Sequence, residues 1–443
     1  MASTQEHHAD ANEASQQASS VADLVAIMSR LSIRDHTRGP NFKLKPKKAN
    51  IFEWYESGDG YSGGSTLYTS YMPTIAAAGI GVRLATAAEF ATPKSHPGLN
   101  SILDSGARSF LVSRTAFEDP DQVANAYAIL NERGEQVMFQ MAFDNDPSHQ
   151  SIRGYLAQGN LGLGAFGRSV NVHNQRFYVC DDHPLLSGTF RALIGLAPEP
   201  LAGQATPTDE ECPTVLRTIA SRENLQLVLG VFISPWIEDA ANQFTLRGQV
   251  DFGAVDRSIC PDERGINWTR RVDTIPSYMG LSTTAAYGNL RSAMELMIYH
   301  GDRNEYELLH TSYAILDTGC PGIAMNDRTF RAWCNTLNYK HVPYTEVDVH
   351  GTTVLQIPKE YAPSLEGLVF TFHDREGKAF KIRIPSQHMV FPSRILQNMN
   401  LTPIENHLVL ITFKQISHHD ITLGIPFCEY IYFRNEAWFS DCF

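Results

Sequence analysis

"ILDTGCPGIAMN" runs from Ile315 to Asn326, and "ILDSGARSFLVS" runs from Ile102 to Ser113. Each copy has an apolar lead-in suited to a buried strand, then one Asp, a small hydroxyl residue, a Gly and a second apolar run. The two carboxylates, Asp104 and Asp317, stand 213 positions apart. A single Asp on a tight turn is ordinary, because its side chain bonds its own backbone. Two such turns at domain-scale spacing are not ordinary. A carboxylate buried alone after a strand is costly to desolvate, and two that face each other are better tolerated when they share a proton. A water between them can be both deprotonated and aimed. Gly106 and Gly319 allow the backbone to turn and approach closely. The Ser105 and Thr318 hydroxyls are expected to bond their own turns and hold each carboxylate in place.

The remainder of the chain sets limits. Its 443 residues suit two lobes better than one core. Charged residues make up 19%, below the roughly 25% usual for soluble domains, which fits a β-rich protein. The net charge of −12 argues against nucleic-acid binding, which rests on clustered Lys and Arg. No apolar run approaches the roughly 20 residues of a membrane span. The N-terminal "MASTQEHHADANEASQQASS" lacks a basic start followed by an apolar core, so a cytoplasmic or other intracellular setting is expected. A secreted or vacuolar one would follow if that end is incomplete. Seven cysteines at irregular spacing fit reduced thiols.

Along the chain, residues 1–19 read as polar and disordered. Ser20 to Ser32 reads as one amphipathic helix, and a basic stretch follows from Arg30 to Lys48. Strand-like runs then dominate. Leu225 to Ser234 reads as a buried strand. Gln243 to Asp256 reads as a hairpin turning near Arg247 and Gly248, and Gly367 to Pro385 as a second hairpin. "HLVLITF" and "CEYIYF" supply further strands. Helix-like pieces are short: "DQVANAYAILN", "CPTVLRTIA" and "DRTFRAWCNTL". "NLGLGAFG" reads as a strand and turn rather than a phosphate loop. "HHD" (His418 to Asp420) and "CDDHP" (Cys180 to Pro184) lack the paired spacing of a zinc site, so no metal is expected.

The doubled turn resembles that of the pepsin-like aspartic peptidases. That family places an apolar-apolar-Gly segment downstream of each Asp turn, and "ALIGLAPEP" (Ala192 to Pro200) and "DITLGIPF" (Asp420 to Phe427) occupy those places. The resemblance implies a mainly β, bilobal fold: two β-barrel-like lobes with the carboxylate pair at the floor of a cleft. It implies a tail over 1–50, a first lobe over 51–234 carrying Asp104, and a second over 235–443 carrying Asp317. Asp104 and Asp317 would be catalytic, with Ser105, Gly106, Thr318 and Gly319 orienting them. The substrate would be a peptide or protein, with no cofactor, and the protein a monomer.

Several positions depart from the family pattern. The family's flap hairpin matches best at Phe139 to Gly159, where Phe143 stands in place of the flap Tyr and Asp144 begins an unusual "DND". Leu111 stands where the family has Trp. Phe143, Asp144 and Leu111 are therefore the expected flap and cleft residues. The residue after each turn Gly is Ala107 or Cys320, where the family usually has Ser or Thr; Ala occurs there in active relatives, and Cys320 is the odder of the two. Cys320 is read as a packed residue, because a carboxylate neighbour raises a thiol's pKa. The basic stretch is similar in composition to the family's propeptides, though a solvated arm explains it better. Besides an endopeptidase, two readings stay open: an acid-base enzyme acting on a small organic ligand, and a binding protein that retains the cleft.

Overall fold

The computed structural model describes residues 37–38, 42–43, 52–55, 64–74, 81–90, 99–120, 123, 125–141, 151–165, 168–183, 186, 190–197, 212–223, 228–233, 248–252, 293–300, 304–349, 352–373, 379–391, 396, 402–414, 421–428 and 432–436. The β-branched and aromatic runs that dominate the sequence favour a pleated, half-buried surface, and they fold as strands. In the first part of the chain these are β1 (Thr37–Arg38), β2 (Phe42–Lys43), β3 (Phe52–Tyr55), β4 (Gly64–Thr74), β5 (Gly81–Phe90), β6 (Leu99–Asp104), β7 (Phe110–Ser113), β8 (Tyr127–Ala128), β9 (Met138–Met141), β10 (Ile152–Ala165), β11 (Arg168–Cys180) and β12 (Ala192–Gly195). The second part holds β13 (Val228–Ile233), β14 (Gly248–Phe252), β15 (Ala293–His300), β16 (Asn304–Leu316), β17 (Ile323–Met325), β18 (Thr345–Val349), β19 (Thr352–Pro358), β20 (Gly367–His373), β21 (Ala379–Ile384), β22 (His407–Lys414), β23 (Ile421–Leu423) and β24 (Tyr432–Glu436). Among the described residues the α-helices are α1 (Arg114–Phe117), α2 (Val215–Glu223), α3 (Asp327–Tyr339) and α4 (Ile425–Cys428).

β1 and β2 pair only with each other, and the other described strands form two large sheets. In the first, the order β24-β13-β14-β4-β5-β6-β12-β7-β11-β10-β8 carries β3 on β4 and β9 on β10. In the second, the order is β18-β19-β22-β17-β23-β16-β15-β20-β21. β14 and β24 both lie beyond residue 234 and both hydrogen-bond into the first sheet.

One local arrangement occurs in each sheet and explains the doubled phrase. β12 is threaded between β6 and β7, parallel to the first and antiparallel to the second, with Gly195 opposite Asp104. β23 is threaded between β16 and β17 in the same way, with Leu423 opposite Leu316. Backbone bonds tie each Asp turn to its threaded segment. Leu196 N–H donates to Asp104 C=O at 2.8 Å, and Ala197 N–H to Ala107 C=O at 2.9 Å. In the other lobe, Asp317 N–H donates to Leu423 C=O and Ile425 N–H to Cys320 C=O, both at 3.0 Å. The two apolar-Gly segments thus lie where the sequence placed them.

Most of the strand and helix readings hold. Gly367–His373 and Ala379–Ile384 form the expected antiparallel hairpin, and β10 and β11 turn back on each other across "NLGLGAFG". α2 and α3 lie where helices were read. α3 is capped by the Asn326 side chain, which accepts from Thr329 N–H at 2.9 Å, and it buries Phe330, Trp333 and Leu337.

Three readings need correction. Gly248 opens β14 instead of turning a local hairpin; β14 pairs with β13 and β4 because Val250 has a buried place opposite Val231. Within the helix read over Asp121 to Asn131, the described residues 123 and 125–131 are not helical. They supply β8, with Ala128 opposite Ala157 of β10, so pairing with a neighbouring strand overrides helix propensity. In "CEYIYF", Cys428 ends α4 and the strand begins only at Tyr432. The helix read over 20–32 lies outside the described residues, as does nearly all of the basic stretch. No described helix is long and apolar enough to cross a membrane.

The described cysteines 180, 212, 320, 334 and 428 are free thiols, all buried. Burial pushes the Cys180 thiol far above its usual range and raises Cys334 to about 11. Only the thiolate reacts, so neither should take up maleimide at pH 8 in the native protein. Both should label fully in urea, as peptide mapping by mass spectrometry would show.

Candidate active site

The two Asp turns meet where the sheets meet. Asp104 ends β6, and Asp317 follows directly on β16. Each carboxylate accepts from the amide of its own turn glycine: Gly106 N–H to Asp104 Oδ1, and Gly319 N–H to Asp317 Oδ1, both at 2.7 Å. Each turn also packs on the other's carboxylate. A Cβ added to Gly106 would sit 2.6 Å from Asp317 Cγ, and one added to Gly319 would sit 2.8 Å from Asp104 Cγ. No side chain fits at either position. The bare glycines are what let two carboxylates from different lobes converge. Asp317 is 8% exposed, and Asp104 is half-buried. Gly106→Ala should therefore push the second carboxylate aside. The expected result is loss of any activity that depends on the pair, with destabilisation of roughly 1–3 kcal/mol from overpacking, measured by urea denaturation.

The hydroxyls do something other than what the sequence suggested. Ser105 and Thr318 do not brace their own carboxylates; they reach across to the other lobe. Thr318 Oγ1 accepts from Ser105 N–H at 3.0 Å and donates to Leu103 C=O at 2.7 Å. Ser105 Oγ accepts from Thr318 N–H and donates to Leu316 C=O, both at 3.0 Å. This reciprocal set is nearly two-fold symmetric. Its only trace in the sequence is a hydroxyl residue at the same offset in both copies, which does not by itself tell a bond within one turn from a bond between the two.

The structure is similar to the crystal structure of an aspartic proteinase from Irpex lacteus, with a TM-score of 0.57 and 17% identity over 84% of this chain and 94% of that one. It is also similar to basic 7S globulin from soybean, with a TM-score of 0.53 and 12% identity over 84% of this chain and 91% of that one. The fold is pepsin-like. At these identities the likeness is one of fold alone. No protein-family model matches the chain, and no curated protein matches it.

Within this pepsin-like fold, Leu111 is corrected from its expected role. It has no exposed surface and faces a small core with Ile102, Met141, Ile152 and Tyr178, so it does not line a cleft. The apolar side chains of that cluster cover the face of the sheet on which Leu111 stands and leave it no route to solvent. Phe143 and Asp144 lie outside the described residues. The hairpin stem that leads to them is present: Met138–Met141 pairs antiparallel with Ile152–Tyr155. Cys320 is 5% exposed, and its thiol donates to Gly322 C=O at 3.3 Å. It is a packed residue, as read. Among the described residues no group of three or more His, Cys, Asp or Glu is placed to hold a metal ion.

Proposed function

We propose that the protein is an aspartic endopeptidase, and the observation that carries this reading is the convergence of Asp104 and Asp317 over each other's glycines. Two carboxyl groups held this way can bind one water between them. One takes a proton from the water as it attacks a peptide carbonyl, while the other donates a proton to the carbonyl oxygen. The tetrahedral adduct then collapses as the leaving nitrogen is protonated. The symmetric pair of Gly amide donors fixes both carboxylates, so little reorganisation is needed during the reaction. The substrate would be an extended stretch of peptide or protein.

A second reading is favoured by a specific set of residues. Phe143 and Leu111, in place of the flap Tyr and its Trp partner, and Cys320 in the second turn depart from the peptidase pattern, and a globulin shares the fold with the proteinase. A chain with these departures could use the carboxyl pair on a small organic ligand, or retain the cleft for binding. The test is incubation with a diverse peptide mixture from pH 3 to pH 7, with products read by mass spectrometry beside an Asp104→Asn control. Cleavage that the control lacks supports the peptidase. Absence of cleavage across the range would overturn it in favour of the second reading.

A further inference from the structure

We infer that Tyr178 and Phe139 are positioning residues that couple the β9–β10 hairpin to the strand carrying Asp104. The inference rests on the reading of Asp104 and Asp317 as the reactive pair. A transverse row of directly paired residues crosses five strands of the first lobe. Ile102 on β6 stands opposite Leu193 on β12. Leu193 stands opposite Leu111 on β7, Leu111 opposite Tyr178 on β11, and Tyr178 opposite Leu156 on β10. All five are buried and belong to one apolar cluster, which also contains Ala107, the last residue of the Asp104 turn. Ile102 lies two residues before Asp104, so the row begins at the reactive strand. It ends on the strand that forms one arm of the hairpin.

Phe139 joins the other arm to the same row. It lies opposite Gly154 on β10, and a Cβ on Gly154 would be 3.0 Å from its ring. With no side chain in the way, the ring crosses β10 and packs on Tyr178, with centroids 4.5 Å apart. Aromatic contacts of this kind add to plain burial. Directly opposed residues in a sheet move together, because the backbone ladder fixes their spacing. A displacement of the hairpin is therefore passed through Tyr178 and Leu111 to Ile102 and the Asp104 turn. Gaps in such a row would loosen both ends, because a close-packed interior transmits strain.

The test uses the full chain with Phe139→Ala, Phe139→Leu and Tyr178→Leu, the leucines keeping most of the volume if the alanine folds poorly. Hydrogen–deuterium exchange is measured on peptides covering 99–113, 138–158 and 327–339, and kcat and KM are measured on a cleaved peptide. Phe139→Ala is expected to speed exchange in 99–113 and 138–158 together while leaving 327–339 in the second lobe unchanged. It should lower kcat about ten- to a hundredfold, as a misplaced reacting group does, with KM changed far less. Phe139→Leu should recover most of both effects. Faster exchange confined to 138–158, or an unchanged kcat per folded molecule, would overturn the coupling. If the unaltered protein cleaves nothing, the peptidase reading fails, and the exchange of 99–113 still decides the coupling.

Discussion

Asp104→Asn and Asp317→Asn should each abolish peptide cleavage, with a loss of at least about a thousandfold, within the range that proton transfer by positioned groups supplies. Asn keeps the shape of Asp, and its side-chain oxygen can still accept from the glycine amide at 2.7 Å in either turn. The folds of the variants should thus differ little from the parent, and far-ultraviolet circular dichroism would verify this. What Asn removes is the ability to take or give a proton. The pair acts as a unit, so the double variant should be no worse than either single one. Equal single and double losses would show that both carboxyls serve the same step. A single variant that kept a tenth or more of the parent rate would remove that carboxyl from the chemistry and leave the cleft as a binding site.

The sequence disclosed the fold class and the two Asp turns more fully than the strand pairing between distant segments. Both Asp turns and both threaded apolar-Gly segments were legible because each is a local pattern with a strict chemical reason. The strand pair at Gly367–Ile384 was legible for the same reason, since alternation on either side of a turn specifies its own partner. Tyr127 and Ala128 were misread as helical because their conformation is decided by β10, some thirty residues further on, and not by their own propensity. β14 failed in the same way: its partner strands β13 and β4 lie outside any local window. Leu111 was misassigned on the strength of the residue it replaces. Its burial comes from residues distant in sequence, Met141, Ile152 and Tyr178 among them, that share its apolar cluster, and only the tertiary fold brings them together. Cross-lobe bonding by Ser105 and Thr318 was hidden for a related reason. A side chain that bonds its own turn and one that bonds a turn 213 residues away look identical in sequence.

Those cross-lobe bonds make Thr318 the position where one small truncation should cost the fold most. Thr318 has no exposed surface. Its hydroxyl serves two buried backbone groups of the other lobe, Ser105 N–H at 3.0 Å and Leu103 C=O at 2.7 Å. In Thr318→Ala both lose that partner, and water has no access to replace it. A buried polar group that loses its partner costs roughly 1–3 kcal/mol, so about 2–5 kcal/mol is expected for the pair. Thr318→Ser removes only a methyl group and keeps both bonds, so it should cost about 1 kcal/mol. Urea denaturation would read the difference directly. Ser105→Ala should behave like Thr318→Ala, because Ser105 Oγ accepts from Thr318 N–H and donates to Leu316 C=O. The bonds form one closed set, so the two alanine effects should not add. A double-mutant cycle should give a coupling of about 0.5–3 kcal/mol, as for residues in one hydrogen-bonded network. Additive losses would mean that each hydroxyl acts alone. The lobes would then be joined by other contacts, and the convergence of Asp104 and Asp317 would owe nothing to this lock.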